Sequence, residues 1–494
     1  MQSLSPGTVE CTGRPRFTAV IVMSEESHED DVDDDSWALY ADAGYGVSEV
    51  ESDESVESES TENEEWFDGD DFEFEGTTIN WDAPPCPAPL GIEHIIRIGC
   101  CDFCVQRLAG RRTVAKGEEG GKEIRKEAFQ NNPDLESSLK NELCPMCEDL
   151  FDDVDNIVKR IISKIGEVEH TTIQLGVHLP KDLVEEEENI RSRHGSPGSP
   201  PLKPSFVKEI QEKLSLQVNN ISFVKERPDL MILVDGLTLN VEVDIRPVFV
   251  YGRYRKLVRE LPQTRWPCRA CRGREGGCES CNNTGLQYLE SVQDLIGEPI
   301  RIALLAEDTS FHGMGREDID VRCLGQGRPF VIEIKKPGTR IINLEEIQDI
   351  VNENAKGKVE INSLRWSNRS EVVKVKESRS EKSYTIRFRV DEIPDQETVI
   401  EAISSLSGVE LAQETPQRVS HRRAAKVRKR KVIQLSDIVI EDDEVQFFVR
   451  CEAGTYVKEL VHSDEGRTVP SVSSVLGDKE CTVIWLDVEE IHYE

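Results

Sequence analysis

Nowhere in this 494-residue sequence is there an apolar run of about 18 residues, so no membrane-spanning helix is expected. The opening MQSLSPGTVE has no basic stretch and no apolar stretch behind it, so no secretory start is expected and a cytoplasmic location is. Lys and Arg are missing altogether between Ser24 and Gly76, where 23 Asp and Glu stand. A segment so poor in apolar residues and so self-repelling cannot bury a core, and disorder is expected for residues 1–90, which Pro84, Pro85, Pro87 and Pro89 close. It reads as a solvating appendage first and as a nucleic-acid mimic second. The formal charge of −35 is therefore largely local, since about −12 remains without this segment.

The chain is too long for one ordinary core, and two or three domains are expected. Its fourteen cysteines come without a signal and mostly in CxxC pairs, which favours intracellular metal sites over disulfides. One set is Cys101 and Cys104 with Cys144 and Cys147; Cys100 competes for the first place, but only Cys101 gives the two-residue spacing. The gap between these two knuckles is long, so the fold must bring them together. The other set, CRACRGREGGCESC, supplies Cys268, Cys271, Cys278 and Cys281 with glycines between the knuckles, the pattern of a zinc ribbon. Four thiolates leave no open coordination position, so structural Zn²⁺ is expected in both sets and a catalytic zinc is disfavoured.

Beyond the tail, LSLQVNNISFVKERPDLMILVDGLTLNVEVDIRPVFVYG reads as strands and a hairpin broken at Asp235-Gly236. HGSPGSPPLKPS, at 194–205, reads as a loop or linker. SVQDLIGEPIRIALL and NLEEIQDIVNENAK have helical spacing, whereas SYTIRFRV, VQFFVRCEA and CTVIWLDVEEIHY alternate as strands do.

The chemistry-bearing stretch is FHGMGREDIDVRCLGQGRPFVIEIKKP, residues 311–337. Two readings compete for its acids. Asp320, Glu333 and Lys335 fit a Mg²⁺-dependent nuclease, with carboxylates holding the metal and the lysine facing the attacking water. Alternatively GRED is the site: a glycine-rich turn carries Asp318 close to a nucleotide, and Arg316 holds phosphate or fills a vacated base stack. Asp320 and Arg322 would then support the turn, Glu333 and Lys335 would be a solvated strand face, and His312 would be a loop histidine or a substrate-orienting one.

GMGREDIDVR followed by GQGRPFVIEI resembles the catalytic segment of the archaeal tRNA pseudouridine synthases that modify positions 54 and 55, the Pus-ten type with an appended THUMP domain. YGRYRKLVRELPQTRWPC at 251–268, RVSHRRAAKVRKRKV at 418–432 and EAGTYVKELVHSDEGRTVPSV at 452–472 resemble further motifs of the same family, in the same order. The accessory cysteines Cys101, Cys104, Cys144 and Cys147 resemble its zinc ligands. The resemblance implies an α+β catalytic domain over 251–494 with a mixed, mainly antiparallel sheet and the ribbon at 268–281. It also implies an α/β, zinc-containing THUMP-type accessory domain over 91–250. The implied reaction is uridine-to-pseudouridine isomerisation at tRNA positions 54 and/or 55. Asp318 is the implied catalytic residue, as nucleophile or base. Lys458 would keep it ionised, Tyr384 would stack on the flipped base, and Tyr456 would line the pocket.

An acidic chain binds tRNA through local patches. Arg253, Arg255, Lys256 and Arg259 form one expected phosphate-binding cluster, and Arg422, Arg423, Lys426, Arg428, Lys429, Arg430 and Lys431 a denser one. Nothing in the sequence demands more than a monomer. A non-catalytic RNA-binding protein and a zinc-ribbon chaperone are the remaining alternatives.

Overall fold

The computed structural model describes residues 89–110, 115–138, 143–391, 395–422 and 424–493. The expected acidic extension thus lies outside the described residues, save for its last two positions. Among the described residues no helix is long and apolar enough to cross a membrane.

The described residues open with helices. Pro89–Arg97, Asp102–Ala109 and Gly117–Asn131 precede helix Val154–Ile165, whose Val154, Ile157, Val158, Ile161 and Ile165 recur at helical spacing and are all buried. Against them lies a four-stranded sheet of β1 (Thr172–His178), β2 (Ser222–Phe223), β3 (Leu230–Asp235) and β4 (Val241–Ile245), in the order β2-β1-β3-β4. β1 runs parallel to both neighbours, and β3–β4 is antiparallel. The hairpin expected at Asp235-Gly236 is present, but with a longer loop in which Asp235 Oδ1 accepts from the backbone N–H of Leu237 and Thr238 at 2.9 and 2.7 Å. One expectation fails: LSLQ is not a strand. It closes helix Leu202–Gln217, because Phe206, Ile210 and Leu214, four residues apart, are all buried on one face. The same helix begins inside the segment read as a linker.

The larger sheet contains β5 (Val248–Lys256), β6 (Asp308–Gly313), β7 (Arg322–Lys335), β8 (Val359–Ser367), β9 (Lys382–Val390), β10 (Glu410–Gln413), β11 (Arg428–Glu441), β12 (Glu444–Cys451), β13 (Thr468–Val469) and β14 (Cys481–Ile491). Its order is β13-β10-β11-β12-β9-β14-β7-β5-β8, with β6 also paired to β7. The β14–β7 pair is parallel and every other one is antiparallel, so the sheet is mixed and mainly antiparallel as expected. Helices Val292–Ala303 and Leu344–Asn354 occupy the positions their spacing indicated and cover a core that includes Val250, Ile300, Ile332 and Val351. A further core, from Ile386, Phe388, Phe447 and Val449 to Leu460 and Val488, lies on the β9–β12 side. Each such side chain, fully buried, contributes about 1.5–3 kcal/mol.

The segment between β7 and helix Leu344–Asn354 joins the two sheets. Arg340 Nη2 donates to the carbonyls of Asp229 and Arg246, both at 2.7 Å, and the Arg340 backbone N–H donates to Glu169 Oε2 at 2.6 Å. Glu169 N–H in turn donates to Gly338 O at 2.8 Å, and the Thr339 hydroxyl donates to the same Glu169 carboxylate.

Candidate active site

The GMGRED loop, 313–318, is the connection from β6 to β7. Gly315 turns it at φ +71°, a left-handed value that a side chain strains against. Asp318 stands beyond that turn, partly exposed. Its Oδ2 accepts from Arg418 Nη1 at 2.9 Å and lies 3.4 Å from Lys458 Nζ. Lys458, on helix Val457–His462, holds Asp320 more tightly, at 3.0 Å to Oδ1 and 2.8 Å to Oδ2. Burial pushes Asp320 up, but the Lys458 ammonium more than reverses this, and its pKa falls below the ordinary value. Arg418 is anchored from behind: its Nε donates to Glu459 Oε1 at 2.6 Å, and that carboxylate is almost wholly buried. Burial works against the Arg418 charge, yet Glu459 and Asp318 together raise its pKa further. Asp318 thus faces two cations delivered by distant segments.

Arg418 was not singled out by sequence reasoning. It opens the RVSHRR motif, but the phosphate-binding run read there begins only at Arg422. Lys382 was also missed. It lies on β9 two residues before Tyr384, and its Cε is 3.9 Å from where a Cβ on Gly315 would stand. Burial and the nearby Arg328 push its ammonium down to about 8.

The other expected site residues are distributed as follows. Tyr384 sits opposite Val449 and Val488 in the sheet, and burial drives its phenol well above the usual tyrosine range. Tyr456 precedes helix Val457–His462, its backbone bonded both ways to the Gln413 amide at 2.9 and 3.0 Å. Arg316 does not extend freely: its guanidinium lies 5.2 Å over the Trp266 ring, and Trp266 meets Tyr288 edge-on at 5.5 Å. Arg322 pairs with Asp487 on β14 at 2.5 Å.

Two expectations are corrected. Asp320, Glu333 and Lys335 do not converge: Asp320 is on Lys458, Glu333 lies 3.2 Å from His312, and Lys335 is 3.5 Å from Asp308. His312 is accordingly a strand residue of β6 paired with that glutamate, not a loop residue. The 253–259 cluster is not a free phosphate-binding surface either. Lys256 is fully buried, Arg253 donates to Gly327 O at 3.2 Å, Arg255 pairs with Glu360, and Arg259 donates to the carbonyls of Asp320 and Leu486 at 2.7 and 3.0 Å. Of the second cluster, Lys429 and Lys431 are exposed along β11, whereas Arg423 and the Arg422 side chain lie outside the described residues.

Both cysteine sets do assemble. Among the described residues, the only groups placed to hold a metal ion are Cys101, Cys104, Cys144 and Cys147, and Cys268, Cys271, Cys278 and Cys281. A tetrahedral thiolate site with metal–sulfur bonds near 2.3 Å needs sulfurs about 3.8 Å apart. Cys101–Cys147 are at 3.6 Å, Cys268–Cys278 and Cys271–Cys281 at 3.8 Å, and Cys278–Cys281 at 3.7 Å. Backbone N–H groups point at these sulfurs, from Cys101 to Cys144 Sγ at 3.3 Å and from Gly285 to Cys281 Sγ at 3.2 Å, as they do around thiolates. Cys100 lies outside the first group.

The chain thus combines a carboxylate on a glycine turn, clamped by two cations at the edge of a mixed sheet, with two Cys₄ groups elsewhere in the fold. Residues 249–492 match the family model described as Pus10, C-terminal, and residues 157–235 that of the archaeal Pus10 THUMP domain. The tRNA pseudouridine synthase Pus10 of Methanothermobacter marburgensis is 42% identical over 342 residues, 68% of this chain and 82% of that protein. That of Methanocaldococcus jannaschii is 38% identical over 357 residues, 72% of this chain and 76% of that one. The chain belongs to the Pus10 family of tRNA pseudouridine synthases.

Proposed function

We propose that this enzyme isomerises uridine to pseudouridine at position 54, position 55 or both in the TΨC loop of tRNA, with Asp318 as its catalytic carboxylate. The N1–C1′ bond breaks, the freed uracil turns within the pocket, and C5 bonds to C1′; C5 then loses its proton and N1 regains one. Atoms and electrons balance within the nucleotide, so the step calls for no redox partner. The uridine leaves the loop stack first, because the ribose and ring are otherwise out of reach.

The observation that carries this reading is the Asp318 carboxylate held between Arg418 and Lys458. Those cations would orient it for attack at C1′ or removal of the C2′ proton. Tyr384 would stack on the extruded base, Tyr456 would wall the pocket, and Arg316 would meet the RNA backbone. Structural Zn²⁺ in the two Cys₄ groups would hold the accessory and ribbon folds and take no part in the chemistry. The exposed basic residues of β11 would take phosphates, and the THUMP-type region would hold the far end of the tRNA. We read the working form as a cytoplasmic monomer.

The test is tritium release from [5-³H]uridine-labelled tRNA transcript in EDTA, for wild type and Asp318→Asn. Release by the wild type alone supports the assignment. Absence of release by a folded, tRNA-binding wild type overturns it, and strand cuts on adding Mg²⁺ would favour a nuclease.

A further inference from the structure

The loop carrying Asp318 has almost no secondary structure, yet it is enclosed by other chain segments. Its backbone carbonyls must find donors, or the loop would drift toward water. The structure supplies those donors from side chains. Arg328 Nη1 donates to Met314 O at 2.7 Å, and Gln263 Nε2 donates to Gly315 O at 3.1 Å. Lys256 Nζ donates to Asp318 O and Ile319 O, both at 3.1 Å, and to Leu261 O at 2.9 Å. Arg259 Nη1 takes Asp320 O at 2.7 Å.

The one inward acid of the loop, Glu317, is fixed in the same way. The Tyr254 hydroxyl lies 2.9 Å from both its carboxylate oxygens, and Arg328 Nε is 2.8 Å from Oε2. Tyr254, Lys256, Glu317 and Arg328 are all nearly or wholly inaccessible. A lysine ammonium has three N–H donors and no acceptor. At Lys256 all three find a carbonyl oxygen, two of them on Asp318 and its neighbour. Glu317, at 4.0 Å, is its nearest carboxylate. A buried lysine placed on backbone carbonyls, rather than bonded to an acid, serves to hold a chain path.

We propose that Lys256 is a positioning residue for the isomerisation: with Gln263 and Arg328 it holds the 314–319 backbone from beneath, so that the Asp318 carboxylate reaches substrate in one register. This rests on Asp318 as the catalytic residue. The run of charges at 253–259 is then a foundation for the catalytic loop.

The experiment is single-turnover tritium release from [5-³H]uridine tRNA by full-length enzyme in excess, with tRNA affinity and the thermal midpoint measured on the same preparations. For Lys256→Met we expect the rate constant of the active fraction to fall roughly 10- to 100-fold, the scale of a small misplacement of a reacting group. Affinity for tRNA should stay within about two-fold, because Lys256 is out of reach of RNA. Lys256→Arg, which keeps a cationic donor, should recover part of the rate. A purely structural role predicts a smaller active amplitude with an unchanged rate constant, and that result overturns the proposal, as does equal loss of affinity and rate. Should Lys256→Met fail to fold, Gln263→Leu, which frees Gly315 O and the Tyr254 hydroxyl but leaves the Lys256 bonds in place, carries the same expectation with a smaller fall in rate, and a wild-type rate constant there is equally fatal. Asp318→Asn is run in parallel: activity in that variant would sink the catalytic assignment, whatever Lys256 does.

Discussion

Arg418 and Asp318, one hundred residues apart in sequence, meet at 2.9 Å, and Arg418 reaches that point only because its other nitrogens are held by the buried Glu459. The acid of the site is therefore served by an arginine whose own position is fixed by a second acid. The arrangement sets charge and geometry together.

Replacing Arg418 by Gln should slow isomerisation roughly 100-fold at saturating tRNA, the usual scale for removing one preorganised electrostatic partner. It also leaves Glu459 buried without its cation. A fall in thermal stability should accompany the loss, and Arg418→Gln/Glu459→Gln should recover the stability but not the rate. Denaturation and single-turnover assays on the two variants separate the effects.

Lys382 gives a pH signature. Its ammonium is lowered to about 8 from an ordinary 10.5. Between these values the unfolded chain binds a proton that the folded chain does not, so the Lys382 contribution makes stability rise with pH across that window. Below about pH 8 the contribution is constant and unfavourable. Lys382→Met should therefore be the more stable protein at pH 7, by up to about 3 kcal/mol, and the difference should close as pH approaches 10.5. Urea denaturation of both proteins at pH 7, 9 and 10.5 measures it; a gap that widens with pH contradicts the assignment.

Metal analysis of the purified chain should find two ions, one for each Cys₄ group. Cys104→Ser should lower the content to one, destabilise the helical region around Asp102–Ala109, and leave the ribbon loaded. Cys271→Ser should do the converse. Mass spectrometry under native conditions, before and after chelation, reads both.

The contact of Arg340 with Asp229 and Arg246 ties the segment after β7 to the four-stranded sheet. Arg340→Ala should slow the reaction on full-length tRNA about ten-fold while leaving a minihelix of the TΨC arm unaffected, because in the proposed binding mode only the longer substrate would engage both parts of the protein. Equal slowing on both substrates would mean that Arg340 serves the catalytic domain alone.

Much of this was legible in the sequence, for reasons that can be named. CxxC pairs carry their geometry locally, so the two Cys₄ groups could be read from spacing. β12 alternates strictly because one face of it is buried, and β9 alternates over Ile386–Val390, whereas β14 keeps only part of the pattern, with Leu486, Asp487 and Val488 buried in succession. LSLQ misled because four residues fit either period, and only Phe206 and Ile210 upstream reveal the helical one. Lys256 misled more deeply. A lysine among arginines looks like a phosphate site, and no local pattern shows that it lies beneath the loop. Arg418 was invisible as a partner of Asp318, since that contact depends on how the turn between β10 and β11 and the 457–462 helix are brought to the loop between β6 and β7.

The place of β14 in the large sheet has a consequence for biosynthesis. It lies between β9 and β7, and its Asp487 binds both Arg259 and Arg322, so it is the seam between the two halves of the sheet. Asp318 belongs to one half; Tyr384, Arg418 and Lys458 belong to the other. On the ribosome each half can emerge and begin to fold, but they can be stitched together only after residue 491 has left the exit tunnel. A nascent chain would carry every residue of the site except the strand that unites them, and would stay inert toward the tRNAs crowded around it until synthesis had passed that point.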